Sequence, residues 1–270
     1  MQITGKKPSI LIYQDYVHNN GQLYHALVER YGFAVVGYCD AASIIAGILD
    51  PTVKLLVMPG GADLYYCEKL NGAGNRAIRN FVENGGSYLG ICAGAYYACD
   101  RIEWARGSDR EISGSRELKL YGGLASGPIT EFIQGLDQSW LASATISGAD
   151  ISTSVCYEAG PIFAEPSAAH EKIIARYTSL PGQPPAIVES QIGKGQVILS
   201  SPHIERQMPS AWSDLYSVNN PHYDHMHKVY KNLSKDRAQQ GALWNLILDK
   251  LVGTIRTEAP VEIRRSLDVA

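Results

Sequence analysis

Short apolar runs alternate with amphipathic stretches along the first hundred or so positions of this 270-residue chain. The runs SILIYQ (9–14), FAVVGY (33–38), VKLLVMPGG (53–61) and SYLGI (87–91) lack regular polar alternation, the pattern of strands covered on both faces. Between them, QLYHALVERYG (22–32) sets Leu23, Ala26, Leu27 and Tyr31 at helical spacing and stops at Gly32, and AASIIAGILD (41–50) reads as another helix. ADLYYCEKLNGAGNRAIRNFVENGG (62–86) reads as a short helix, a glycine break and a longer helix with Ile78, Phe81 and Val82 on one face. CAGAYYACD (92–100) is a helical stretch after the fourth strand. Parallel strands need a crossover, usually a helix, so the alternation predicts a doubly wound, mostly parallel α/β sheet with helices on both faces.

Glycine-punctuated strand patterns take over in the second half: ELKLYGGLASGPIT (117–130), ISTSVCYEAGPIFAE (151–165), KIIARYTS (172–179) and PAIVESQIGKGQVILSS (185–201). IGKG (192–195) between two apolar alternations is a hairpin turn. Added antiparallel strands are therefore expected to extend or flank the sheet. Residues 209–235 are polar and aromatic with a weak period, whereas RAQQGALWNLILDKLV (237–252) is an amphipathic helix through Leu243, Leu246, Ile247 and Leu251. No repeat, low-complexity tract or linker divides the sequence. We expect a single domain over residues 1–252 and a loosely ordered tail over 253–270.

Charge removes some functions from consideration. The net charge is −3 and basic residues pair only as Lys6–Lys7 and Arg264–Arg265, which gives no footprint for a nucleic-acid backbone. The stretch AASIIAGIL (41–49) is about half the roughly 20 residues a membrane-spanning helix needs, and the start lacks a secretion-signal pattern. A cytoplasmic protein that binds neither nucleic acid nor membrane is expected. Cys39, Cys67, Cys92, Cys99 and Cys156 are odd in number and form no C-x-x-C pair, so most should be free thiols packed as small hydrophobes.

Cys92 departs from that background. It stands between Gly90 and Gly94, where strand SYLGI should hand over to a helix, as a thiol counterpart of the nucleophile elbow. A helix N-terminus beneath the sulfur favours the thiolate. QVILSSPHIER (196–206) ends an apolar strand and delivers His203 and Glu205; in extended geometry residues i and i+2 point the same way, so the carboxylate can orient the imidazole. Both would lie in the crevice at the carboxyl ends of the strands. The amides of Gly60 or Gly61, with that of Ala93, can donate to a developing oxyanion. The bland alternatives are core cysteines at a glycine-softened helix start, a loop histidine, and a turn needing positive φ.

In order, MPGGAD (58–63), GICAGAYYA (90–98) and SSPHIE (200–205) resemble the class I glutamine amidotransferase-like superfamily. Within it, LYGGLASGP (120–128), YEAGPIF (157–163) and the ending over 175–205 are similar to the branch related to the N-terminal domain of eukaryotic biotin–protein ligase, a resemblance covering roughly residues 8–252. It implies a flavodoxin-like sheet, with Cys92 as nucleophile, His203 as base, Glu205 as its orienting carboxylate, and Gly61 and Ala93 at the oxyanion positions. Two departures stand out. True glutaminases of the superfamily usually carry glutamine four positions after the cysteine, where this chain has Tyr96; and no G-R-G-R-x biotinyl-adenylate motif occurs, which sets biotin ligation aside.

Two functional readings follow. One is a cysteine hydrolase or amidotransferase-like enzyme that attacks an amide or related acyl carbon of a small molecule, with no cofactor and no metal. The other is a non-catalytic binding or regulatory module, linked to biotin-dependent enzymes, for which Tyr96 speaks; a protein partner or a homo-oligomer fits the picture. A protease-like or chaperone-like relative is a remote third, because its characteristic cysteine arrangement is not evident. His222, Asp224, His225 and His227 could ligate a transition metal, but we read them as a histidine-rich polar surface loop, or a lid over the cleft. Tyr65, Tyr66, Tyr96 and Tyr97 flank the glycine motifs as pocket lining or as packing.

Overall fold

Each central strand of the first half sends alternate side chains into two different hydrophobic layers, which is why its sequence is apolar throughout. In β1 (Ile10–Tyr13), Ile10 and Ile12 enter one layer and Leu11 and Tyr13 the other; in β3 (Leu55–Met58), Leu55 and Val57 oppose Leu56 and Met58. The computed structural model describes residues 7–15, 20–133, 135–136, 139–206 and 223–253.

The remaining strands of the first half are β2 (Val36–Cys39) and β4 (Ser87–Ile91), with helices α1 (Gly21–Tyr31), α2 (Ala41–Ile45), α3 (Asp63–Leu70), α4 (Ala73–Glu83) and α5 (Ala93–Ala98) between and after them. Then follow β5 (Cys99–Trp104), β6 (Ile112–Ser115), β7 (Tyr121–Gly127), β8 (Leu141–Gly148), β9 (Ile151–Glu158), β10 (Ile162–Phe163), β11 (Glu171–Tyr177), β12 (Pro185–Ile192) and β13 (Gly195–Ser200), and the helices α6 (Tyr223–Leu233) and α7 (Arg237–Val252).

Nine strands form one sheet in the order β2-β1-β3-β4-β13-β12-β11-β8-β9. The stretch from β2 to β13 is parallel, and β12, β11, β8 and β9 continue it antiparallel, so the added strands extend the doubly wound sheet. The expected hairpin closes β12 and β13, with Ile192 opposite Gly195 and Gly193 at φ +59. A second sheet of four strands, β10-β7-β5-β6, lies beside it. Helices α1 and α7 cover one face of the large sheet through Leu27, Trp244 and Ile247. The other face is covered through Ile44 of α2, Phe81 of α4, Tyr97 of α5 and Tyr121 of the small sheet. Each such fully buried side chain contributes about 1.5–3 kcal/mol relative to leaving it in water.

Some boundaries and elements differ from the expectation. The second strand begins at Val36, not Phe33, whose side chain is exposed in the preceding turn. The helix from Ala41 ends at Ile45, just before Gly47 takes φ +94. Strands β6 and β8 carried no recognised signal, and β5 begins at Cys99, inside the stretch 92–100 read as helix, which ends at Ala98. The histidine-rich segment is not a loop: residues 223–233 are helix α6, whose Met226, Val229 and Leu233 pack on Leu141 and Cys156. Residues 207–222, His222 among them, and the tail beyond Gly253 lie outside the described residues. Among the described residues no helix is long and apolar enough to cross a membrane.

Because β3, β4 and β13 are neighbours and parallel, their carboxyl ends open at one edge. There the chain delivers Gly60, Cys92 and His203 within a few residues of the strand ends.

Candidate active site

The turn from β4 into α5 holds Cys92 at φ 51 and ψ −105, a backbone state that costs a non-glycine residue on the order of 1–3 kcal/mol. Its neighbours enforce it. A Cβ on Gly94 would lie 2.0 Å from the carbonyl oxygen of Met58, and one on Gly90 would lie 2.5 Å from that of Gly94, so both flanking positions require glycine. The Cys92 amide donates to the Ser200 carbonyl, and the Cys92 carbonyl accepts from the amides of Ala95 and Tyr96. The residue is thereby pinned between β13 and the first turn of α5.

Cys92 is 7 % exposed, and its thiol donates to the main-chain carbonyl of Glu158, at the end of β9, over 3.3 Å. His203 and Glu205 are also buried, with Nδ1 of the imidazole 2.7 Å from Oε1 of the carboxylate. The pleat of a strand does not bring them together, since β13 stops at Ser200 and a turn follows in which the Ile204 amide donates to the Pro202 carbonyl and the Arg206 amide to that of His203. The His203 amide donates to the Cys156 carbonyl, tying this turn to β9. The imidazole lies against Gly60, where a Cβ would meet its Cε1 at 2.6 Å.

Burial opposes a charge on this imidazole and the Arg206 guanidinium adds to that opposition. The Glu205 carboxylate and hydrogen bonds to Cys92 and Glu205 outweigh both, so the His203 pKa rises to about 9. Burial alone would raise Glu205, but the imidazole beside it holds its carboxyl below the ordinary value. All five cysteines are free. Burial pushes the thiols of Cys39 and Cys156 up to about 12 and that of Cys67 to about 11, with Cys99 well above its ordinary value.

Gly61 has φ +147, a conformation suited to glycine, in the turn that brings Gly60 against the His203 imidazole. The turn is braced by Tyr66, whose hydroxyl lies within hydrogen-bonding distance of the carbonyls of Pro59 and Gly60. Asp63, at the start of α3, is paired with the buried Arg116 at 2.6 Å, which fixes the same turn from beyond β6. Ala93 is the first residue of α5, and its amide faces the helix N-terminal side with no backbone partner among the described hydrogen bonds. Tyr96 is 4 % exposed and belongs to the layer opposite that of Cys92. Its hydroxyl donates to the Ala159 carbonyl at 3.2 Å and presses on Gly127, where a Cβ would be 1.9 Å away. Tyr66 and Tyr97 are core residues as well, whereas Tyr65 is exposed.

Three contributors were not foreseen: the Glu158 carbonyl, the Tyr66 hydroxyl and Arg206. YEAGPIF had marked the end of β9 as a motif, but no local pattern says that its carbonyl meets a thiol 66 residues earlier. Among the described residues no group of three or more His, Cys, Asp or Glu is arranged to hold an ion, and His222 lies outside them. In α6, His225 Nε2 is engaged with the Leu141 carbonyl at 2.7 Å and His227 stacks with Tyr223. A separate open cavity of about 520 Å³, lined by Glu103, Gly127, Pro128, Ile129 and Leu180 among others, does not include Cys92 or His203.

PurLQS from Thermotoga maritima superposes with a TM-score of 0.50 at 16% identity, covering 89% of this chain and 100% of that one, a likeness of fold. Sheet order, elbow and strand-end placement define a protein of the class I glutamine amidotransferase-like fold. The chain belongs to the biotin–protein ligase N-terminal family, whose model matches residues 14–267. It is 36% identical over 160 residues to an uncharacterized protein of Chlamydia muridarum, covering 58% of this chain and 62% of that protein. It is 31% identical over 176 residues to the biotin–protein ligase of Schizosaccharomyces pombe, covering 62% of this chain and 28% of the ligase. The chain thus spans less than two thirds of the first relative and less than a third of the second.

Proposed function

We propose that the chain is a cysteine-dependent enzyme of amidohydrolase or amidotransferase type, acting on an amide or related acyl carbon of a small molecule. One observation carries this reading: a thiol held at positive φ on the β4–α5 turn, at the strand ends that also deliver a buried imidazole paired with a buried carboxylate at 2.7 Å. His203 takes the thiol proton and Cys92 Sγ attacks the acyl carbon. The amides of Gly60 or Gly61 and of Ala93 receive the oxyanion, each such donor being worth roughly 3 kcal/mol in the transition state. His203 returns the proton to the leaving amine, and water then cleaves the thioester, releasing the acid and restoring the thiol. No cofactor enters the cycle. Residues 1–252 act as one domain in this proposal, and the free thiols suit a reducing, cytoplasmic setting.

A second reading, a non-catalytic binding or regulatory module, is favoured by the burial of Tyr96 where a glutaminase has its glutamine. In that role the domain would dock on, or sense a metabolite for, a biotin-dependent enzyme. Peptide-resolved iodoacetamide labelling at neutral pH separates the two, combined with assays for ammonia or amine release from glutamine, biotin amides and short peptides. The enzyme reading expects Cys92 to react faster than a model thiol and Cys92→Ser to abolish release. Ordinary reactivity, together with activity unchanged in Cys92→Ser, leaves the binding module.

A further inference from the structure

The open cavity of about 520 Å³ beside the small sheet has apolar walls around one sheltered carboxylate, and its volume lies within the roughly 300–1,000 Å³ of small-molecule sites. Glu103 of β5 supplies the carboxylate; Ile129, Ile162 of β10 and Leu180 supply apolar surface, together with three prolines at 128, 181 and 184. Proline fixes its own φ, so these stretches of wall are ordered before any ligand arrives. Hydrogen bonds brace the rest. The Gly127 carbonyl accepts from the Ala105 amide at 2.6 Å. The Ile129 amide donates at 2.6 Å to the Tyr157 hydroxyl, which donates to the Gly160 carbonyl at 2.8 Å. Behind Gly127 lies the Tyr96 hydroxyl, only 1.9 Å from where a Cβ would stand, so this wall cannot collapse inward.

The charged groups of the lining are Glu103, Glu131 and Arg106, one negative charge in excess. They differ in depth. The Glu103 side chain is 21% exposed and that of Arg106 73%, so the carboxylate is the charge met inside and the guanidinium stands at the rim. Glu131 is exposed as well. Arg106 Nη1 reaches Glu103 Oε2 at 3.1 Å, and the Ser126 hydroxyl is 3.4 Å from the same oxygen. Among the described residues Oε1 accepts no hydrogen bond, although an ionised carboxylate offers about four acceptor positions. An ion pair with so exposed a partner is weak, so Arg106 does not hold Glu103 against a competing donor. Apolar walls around an acceptor-only anion suit an aliphatic body with a cationic N–H head. A carboxylate head would meet Glu103 and Glu131 as like charges, and an alcohol would forgo the charge-assisted bond.

We infer that this cavity is a binding site for a primary ammonium ligand, its head on Glu103 Oε1 and its aliphatic chain between Ile129, Ile162 and Leu180. A free aliphatic amine and a lysine side chain share this chemistry. The site is apart from Cys92, and the inference holds whether or not that thiol is a nucleophile.

NMR titrations of the ¹⁵N-labelled full chain with hexylammonium, hexanoate and 1-hexanol at pH 7 test this; the amine is charged there as lysine is. Saturable shifts are expected at the amides of Gly127, Ile129 and Ile162, with hexylammonium at least about tenfold tighter than either other probe. Lengthening butylammonium to hexylammonium should tighten binding by up to about fourfold per methylene. Glu103→Gln, which keeps the shape and removes the charge, should weaken hexylammonium at least about fivefold and leave hexanol unchanged. Tighter binding of Nα-acetyl-lysine methylamide than of hexylammonium upholds the site with a lysine side chain as occupant, and the reverse upholds it with a free amine. No saturable shift at those amides, hexanoate binding as tightly as hexylammonium, or full affinity in folded Glu103→Gln overturns the inference. Should Glu103→Gln not fold, the ranking of the three probes on the wild type decides alone.

Discussion

Replacing Gly60 with alanine presses on the imidazole without removing any titratable group. The added methyl would sit 2.6 Å from His203 Cε1 and 3.3 Å from Nε2, where ordinary contact starts at 3.4 Å. The ring must therefore give by about 0.8 Å, the difference between 3.4 and 2.6 Å. It is held from behind by the 2.7 Å contact to Glu205 and by its own amide on the Cys156 carbonyl, so the displacement falls on the Nε2 edge of the ring. Misplacements near 1 Å cost on the order of 100-fold in well-aligned sites, and overpacking costs about 1–3 kcal/mol of stability. Gly60→Ala should thus lower the neutral-pH alkylation rate of Cys92, and any amide hydrolysis, about 10- to 100-fold, while the melting temperature falls by less than about 10 °C. Gly86→Ala is the matched control: its methyl would overlap the Phe81 ring at 2.3 Å, far from the thiol. It should cost stability and spare Cys92. The assay is peptide-resolved mass spectrometry after timed iodoacetamide exposure, beside a thermal melt. A folded Gly60→Ala protein with wild-type Cys92 kinetics would refute the claim that this imidazole activates this thiol.

Two further outcomes follow from the same contacts. His203 gains a folded pKa of about 9 against an ordinary value of 6.5, so its stabilising contribution is complete below 6.5 and is lost as pH rises through 9. Glu205 is shifted down, so its contribution is present above 4.5 and is lost as pH falls through its depressed value. Urea midpoints should decline from pH 6.5 to 9.5 more steeply in the wild type than in Glu205→Gln, and identical slopes would contradict the pairing. The Arg116–Asp63 pair is nearly dry, and Arg116→Ala strands a buried carboxylate; urea unfolding should show a loss of about 3–5 kcal/mol, largely recovered when Asp63→Leu and Arg116→Met are combined. A loss below about 1 kcal/mol in the single variant would mean that solvent reaches Asp63.

Legibility in the sequence follows from how local the cause is. The parallel strands were readable because burial on both faces leaves LLVM and SYLGI without polar alternation, and the elbow because two backbone contacts, at Gly90 and Gly94, demand glycine within a few residues of one another. Strands β5, β6 and β8 were not, because each meets solvent along part of its length: ISGS of β6 alternates half-buried and exposed positions with small side chains. Helix α6 hid its Met226, Val229 and Leu233 stripe among histidines, lysines and tyrosines that face outward or stack. At the site, the pairing of His203 with Glu205 was anticipated, but as a strand pleat, whereas the turn after Ser200 makes it. The acceptor of the thiol was beyond reach of any local pattern. It depends on β9 lying at the far end of the sheet order yet folding its terminus back, through the Cys156–His203 backbone bridge, onto the loop that follows β13. That bridge sets the Cys92–Glu158 distance, so the resting position of the sulfur is a property of antiparallel register in the second half of the chain, and the turn that positions the backbone of Cys92 does not determine it.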